Sequence, residues 1–232
     1  MKKLVIAATL IIFGASCSWG QDVVPSVKPG SKAVLFSFGG LSFLSAGTFD
    51  GGVGARYYLN GSMSVRGGIQ FTSASQSTPA NPAAGQSGAD GSASALVMGL
   101  EGAAEWHMGK GRVLPYVGLG AAFSTTSTDS KPVRVGVAPL VQPETKNASG
   151  GETVNGTTYF GGTSFQVFAL AGVEFFLYKE LSLAAEYRLG YMTTSRKDEE
   201  ITAATVTTTT KVGSASNLGI TNSGALTLSV YF

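Results

Sequence analysis

The amino-acid sequence predicts an all-β chain, an eight-stranded antiparallel up-and-down transmembrane β-barrel. Three observations lead there. Apolar side chains recur at every second position in most of the ordered-looking stretches. Charged residues in those stretches fall on the opposite face from the apolar ones. Tight turns alternate along the chain with long polar connections. The stretch that closes the sequence states the pattern most plainly. Successive side chains of a strand point to opposite faces, so Leu226, Leu228, Val230 and Phe232 share one face while Thr227, Ser229 and Tyr231 share the other. An apolar stripe of that kind on an open edge invites aggregation, whereas a strand that closes a barrel leaves no edge and can turn the stripe toward lipid.

The first strand begins near residue 33 and runs to about residue 44, rich in Phe and Leu but with mixed alternation. A short connection over 46–49 follows. Val53, Ala55, Tyr57 and Leu59 then alternate with Gly54, Arg56 and Tyr58, and Asn60-Gly61-Ser62 leads into Met63, Val65, Gly67, Ile69 and Phe71. Asn-Gly between two alternating runs is a hairpin signal, because both residues tolerate the positive φ that tight turns require. Residues 73–92 have no apolar period and read as a polar loop. The fourth strand carries Leu96, Met98, Leu100, Ala104 and Trp106 against Glu101 and Glu105, and a compact turn over 107–112 leads to Val117, Leu119, Ala121 and Phe123.

Residues 124–162 form a long connection with Pro132, Pro139 and Pro143, in which 133–137 could make an additional hairpin and raise the count to ten strands. Periodicity returns with Phe165, Val167, Ala169, Ala171, Val173, Phe175 and Leu177, turns at Lys179-Glu180, and continues through Leu181, Leu183, Ala185, Tyr187, Leu189 and Tyr191. A last loop over 193–217 starts with a solvated charge run at 196–200 and passes through the Thr-rich stretch 207–210, which favours extended backbone. Strands are therefore expected to continue past any membrane. Tight turns at one rim and long loops at the other suit an outer-membrane barrel, whose strands cross a bilayer in about 9–11 residues.

The chain has 232 residues, enough for one such domain. Met1-Lys2-Lys3, the apolar run 4–13 and the small residues before Gln21 match a secretory signal, so cleavage is expected after Gly20. Residues 1–20 are then a signal peptide, 21–32 a leader and 33–232 the barrel with its loops. Cys17 raises the competing idea of a lipoprotein, but Gly14-Ala15-Ser16 lacks the leucine-like residue usual three places before a lipidated cysteine. Of the 16 Lys and Arg residues, Lys2 and Lys3 leave with the signal, so 14 basic residues face 14 acidic ones and no basic footprint predicts nucleic-acid binding.

Arg56, Arg66, Glu101, Glu105, Glu174, Glu186 and Arg188 all lie opposite the apolar stripe. A water-facing sheet would segregate charges too. The same face, however, also carries Gly54, Gly68, Gly99, Gly118, Gly120, Gly172 and Gly190. Glycine on an exposed sheet weakens it without return, whereas inside a narrow barrel small residues make room for a few large ones. The seven charges are expected to pair across the lumen, more as filler than as an ion path. Tyr57, Trp106, Tyr178, Tyr187 and Phe232 are expected in the interfacial girdles.

The sequence resembles the small outer-membrane β-barrel proteins of Gram-negative bacteria, the group of the OmpA transmembrane domain, OmpX and OmpW, within the wider porin-family barrels. The resemblance runs from about residue 33 to 232 and is carried by the signal segment, Pro115-Tyr116-Val117-Gly118-Leu119-Gly120, Ala185-Glu186-Tyr187-Arg188 and the last seven residues. It implies the cell outer membrane as location and outer-membrane lipid as surroundings. It also implies that the barrel-assembly machinery reads the terminal strand, through Leu226, Leu228, Val230 and Phe232. No cell-wall-binding domain follows the barrel, so anchoring by an OmpA-type tail is not expected.

Little else points to chemistry. His107, the one histidine, is expected as a polar residue of the short turn at the rim. No spacing joins a nucleophile to a base, and no cluster of ligands suggests a metal or other cofactor. The triplets at Asn60, Asn147 and Asn155 that fit a glycosylation pattern are read as turn chemistry. The expected role is a non-enzymatic, monomeric structural or surface-interaction protein that uses its extracellular loops. The alternatives are a narrow pore or carrier lined by the seven charges and, further off, a lipid-modifying enzyme.

Overall fold

The computed structural model describes residues 27–39 and 48–232. The signal segment, Cys17, the expected cleavage point and residues 46–47 of the expected first connection lie outside the described residues, while residues 48 and 49 of that connection are strand. Among those described there are fifteen strands and no helix. Numbered along the chain, eight of them make the wall: β1 (Lys32–Gly39), β2 (Thr48–Tyr58), β3 (Met63–Thr78), β5 (Gly91–His107), β6 (Val113–Lys131), β11 (Gly162–Tyr178), β12 (Leu181–Arg196) and β15 (Ser214–Tyr231). The small strands are β4 (Ser87–Ala89), β7 (Arg134–Gly136), β8 (Glu144–Lys146), β9 (Glu152–Val154), β10 (Thr157–Tyr159), β13 (Glu199–Ala203) and β14 (Val206–Thr210).

Each wall strand pairs antiparallel with its neighbour, and β15 returns to β1, so the sheet is a closed ring of eight strands. Val34 stands opposite Val230, and Phe232 N donates to Lys32 O at 3.0 Å to make the last rung. Closure satisfies backbone groups that lipid could not.

Three connections are short, over 59–62, 108–112 and 179–180, and all lie at one rim. The Asn60 turn is made differently from the expectation. Neither Asn60 nor Gly61 has positive φ; instead Asn60 Oδ1 accepts from Ser62 N at 2.9 Å and Met63 N at 2.8 Å, a side chain standing in for a backbone turn. The tight turn with two positive-φ residues is at Asn155 and Gly156, with φ of 50° and 80°, between β9 and β10.

At the other rim the sequence reading needs correction. β3 runs on to Thr78 and β5 starts at Gly91, so both ends of the expected loop 73–92 are wall strand, and β4 lies between them. β6 likewise reaches Lys131, and β12 reaches Arg196 before β15 resumes at Ser214. Small and polar residues hid these extensions, because the outer face meets water while the inner face packs small side chains on the inserted loops, so no apolar period marks them. Residues 134–136 form no hairpin of their own; β7 pairs with β4. The wall stays at eight strands, and the surplus strands build outward. β8 joins the end of β6 and carries the β13–β14 hairpin.

The outer surface is banded. From the short-turn rim upward it presents Val117, Leu119 and Phe123 on β6, then Thr125; on β12 it presents Leu183, Leu189 and Tyr191, then Thr193. Phe71, Phe123, Phe165 and Tyr191, all exposed, stand where the apolar band gives way to hydroxyls. Tyr57, Trp106, Tyr178 and Phe232 are exposed at the short-turn rim. Tyr187 is the exception to the expected girdles, because it pairs with Ala171 in the middle of the band. Its 66% exposure puts an aromatic ring among the aliphatic side chains.

Candidate functional site

The inward-facing side chains fill the short-turn half of the barrel in layers. Ala33, Leu35, Tyr58, Leu114, Phe176 and Tyr231 form a buried apolar cluster near the short-turn rim. The charged cluster lies against it and includes all seven residues singled out by their parity.

Two linked groups compose that cluster. Arg56 Nε lies 3.0 Å from Glu105 Oε2, and Arg56 Nη1 donates to Glu174 Oε2 at 3.0 Å; all three side chains are fully buried. Arg66 Nη1 stands 2.8 Å from both Glu105 Oε1 and Glu186 Oε2, which joins the first group to the second. Arg188 Nη1 donates to Glu101 Oε2 at 2.7 Å, and its Nε donates to Glu186 Oε1 at 2.7 Å. Glu101 and Arg188 are partly exposed, at the end away from the apolar cluster. The pairs span β2, β3, β5, β11 and β12, and all but Arg188–Glu186, which lies within β12, tie one strand to another.

Neutral groups complete the network. Tyr231 OH donates to Glu174 Oε1 at 2.6 Å and accepts from Arg56 Nη1 at 3.0 Å. Ser182 Oγ also donates to Glu174, and Tyr116 OH donates to Glu186 Oε2 at 3.1 Å. Buried charges are tolerated only when pairing and hydrogen bonds of this kind replace water. Glycine provides the room. A Cβ on Gly172 would stand 2.5 Å from Tyr116 Cζ, and one on Gly120 would stand 2.5 Å from Phe168 Cζ.

His107 is misplaced in the sequence reading. It is the last residue of β5, two beyond Glu105 and so on the same inward face, and it is buried rather than set in the rim turn. Its Nε2 is 3.3 Å from Tyr58 OH, from Ser64 Oγ and from Glu105 Oε2. The parity that identified Glu105 also applied to His107; only its nearness to the turn obscured it. Tyr58, Ser64, Tyr116, Ser182 and Tyr231 were likewise legible as inward-facing, but parity alone does not reveal a hydroxyl's partner. Ser64, His107 and Glu105 include the residue types of a nucleophile, base and orienting acid. Here Ser64 Oγ donates directly to Glu105 Oε2 at 3.0 Å, and all three are enclosed by the layers on either side. Among the described residues no group of three or more His, Cys, Asp or Glu side chains is arranged to hold a metal ion.

Beside Ser37, Arg66, Gln70 and Glu101 is a small cavity of about 20 Å³, and Gln70 Nε2 donates to Glu101. Higher in the barrel, the β9–β10 hairpin folds into the mouth. Val154 is buried against Ala74 and Ala95 of the wall. Asn155 N donates to Gln76 Oε1 at 3.0 Å, and Asn155 Nδ2 donates to Ser75 O at 3.2 Å. The barrel is thus stopped twice, by its own side chains below and by an inserted hairpin above.

Compared with known families, residues 6–216 match the one described as outer membrane protein beta-barrel domain. The curated proteins gave no match.

Proposed function

The chain belongs to the outer membrane protein beta-barrel domain family, and from that membership, which makes it a β-barrel protein of the bacterial outer membrane, we propose that it is a closed scaffold displaying structured extracellular loops. The observation that carries this reading is the double stop in the lumen. A pore lined by Arg56, Arg66, Glu101, Glu105, Glu174, Glu186 and Arg188 would need water along those side chains, whereas five of the seven are buried and each is held by an opposite charge. The wall strands, on the other hand, continue well past the apolar band and support β8, β13 and β14. Binding residues on such loops can vary while the barrel stays fixed.

On this reading the protein catalyses no reaction, works as a monomer surrounded by lipid, and is exported by a signal peptide removed after Gly20. The barrel-assembly machinery receives the terminal strand, with Leu226, Leu228, Val230 and Phe232 as the recognised stripe. Planar-bilayer recordings of the folded protein test the scaffold against the pore. The scaffold predicts no stepwise conductance, together with protease cleavage in 131–162 and 196–214 on intact cells. Reproducible single-channel steps abolished by substitution of Glu101 or Arg188 would establish the pore instead.

A further inference from the structure

Between the inserted hairpin and the extracellular ends of β3, β5 and β6 lies a pocket of about 420 Å³. Its walls include Gln76 and Ser130 from the barrel and Thr145 from β8, and Glu152 of β9 also contributes to its lining. Val133 and Pro143 supply an apolar side. The volume lies at the lower end of the range for small-molecule sites, roughly 300–1,000 Å³. Below it, Val154 packs on Ala74 and Ala95, so the pocket is a blind one.

Its chemistry is selective. The lining holds one cation, Lys131, whose Nζ is 3.4 Å from Glu144 Oε2, a carboxylate that Lys146 shares at 3.8 Å. Glu152 adds one carboxylate, so the charged groups of the lining balance and favour neither an anion nor a cation. The rest of the lining combines an amide and hydroxyls with the aliphatic carbon of Val133 and the prolines. A sugar ring has the matching combination, with hydroxyls at its edge and C–H bonds on its face. A carboxylate can accept two hydroxyl hydrogens at once.

We propose that this vestibule binds a neutral saccharide of one or two hexose units. The site holds the sugar and does not pass it onward, because the hairpin and the charged layers lie beneath. The proposal rests on the reading that these loops face the exterior, and it names the ligand class they recognise.

Saturation-transfer NMR and calorimetry on the full chain folded in detergent micelles provide the test, with maltose, cellobiose and lactose as probes and glucuronate and putrescine as charged controls. The expected result is binding of at least one neutral probe. That binding should weaken at least tenfold in Glu152→Ala and in Thr145→Val, and stay unchanged in Glu200→Gln, which lies outside the pocket. Heat-dependent gel mobility confirms that each variant is folded. Failure of all three neutral probes, tighter binding of either charged control, or insensitivity to both pocket substitutions overturns the proposal. A fluorescently labelled form of the disaccharide that binds in micelles, or of maltose if none does, applied to intact cells separates the two readings. Binding to purified protein but not to cells supports the site and refutes exterior display; cleavable loops on cells with no binding in micelles refutes the site and leaves the display reading standing.

Discussion

Replacing Arg56 by methionine is the sharpest test of how the lumen is held. Methionine keeps much of the length and apolar volume but removes the guanidinium. Glu105 then still has Arg66 Nη1 at 2.8 Å. Glu174 is less fortunate: Arg56 is its one arginine partner among the described residues, and it keeps only Ser182, Tyr231 and the His107 ring nearby. Breaking a buried pair by removing one partner costs about 3–5 kcal/mol, chiefly because the other charge is stranded. At 1.4 kcal/mol per tenfold, the folding equilibrium shifts by roughly two to three and a half powers of ten. Urea titration of the protein in lipid vesicles, followed by tryptophan fluorescence and by heat-dependent gel mobility, measures that shift. Adding Glu174→Gln to the Arg56→Met background removes the stranded charge and should recover on the order of 1–3 kcal/mol. The double variant is thus expected to be more stable than the single one. If Arg56→Met unfolds within about 0.5 kcal/mol of the parent, the range of an uninvolved surface change, the layer is not the tightly coupled network described. Equal instability of single and double variants would show that packing, not charge, sets the cost.

Other outcomes follow from the same geometry. Gly172→Ala would force its methyl group against Tyr116, whose ring lies 2.5 Å from the ideal Cβ position, and should cost about 1–3 kcal/mol in the same urea assay; an unchanged midpoint would show that the ring moves aside freely. Val154→Asp would place a carboxylate among Ala74 and Ala95 and should release the hairpin, so that protease cuts within 147–161 sooner while the barrel's gel mobility is unaltered; equal cleavage rates would refute the hairpin's anchorage. Deleting Phe232 removes the rung to Lys32 O and should lower the yield of assembled barrel before it alters any loop property, whereas normal yield would show that the rung is dispensable.

How much of this could be read from the sequence depended on what lies on either side of the wall. Where one face meets lipid and the other the packed lumen, the alternation is strict. Leu119 and Phe123 point outward while Gly118 and Gly120 point inward, and strand and facing were both legible. The seven charges could be assigned to the interior for the same reason. Their pairing could not, since Arg66 touches Glu105 and Glu186 across residues 120 and fewer apart that no local period relates. Beyond Thr125 and Thr193 the outside becomes water, serine and threonine serve on both faces, and the period vanishes while the strands continue. The vestibule is built from such polar strand ends on β3, β5 and β6 and from the loop that follows β6, so it left no mark in the sequence.

Inward parity nevertheless persists through that silent region. On β3 the inward series runs from Arg66 through Gln70 to Ala74 and Gln76; on β5 it runs from Glu105 through Glu101 to Ala95 and Ala93. One unbroken pleat therefore positions a charged layer, then a floor of small residues, then a polar pocket, at successive heights. A shift of register by one residue would turn every one of these side chains to the opposite face. The seven charges matter to the extracellular face for that reason. A charge facing mid-bilayer costs about 2–4 kcal/mol for Arg, so the buried arginines bias β2, β3 and β12 against the slipped register, and the same bias fixes which residues of β3 line the vestibule above. Lumen and vestibule are joined by register rather than by a passage.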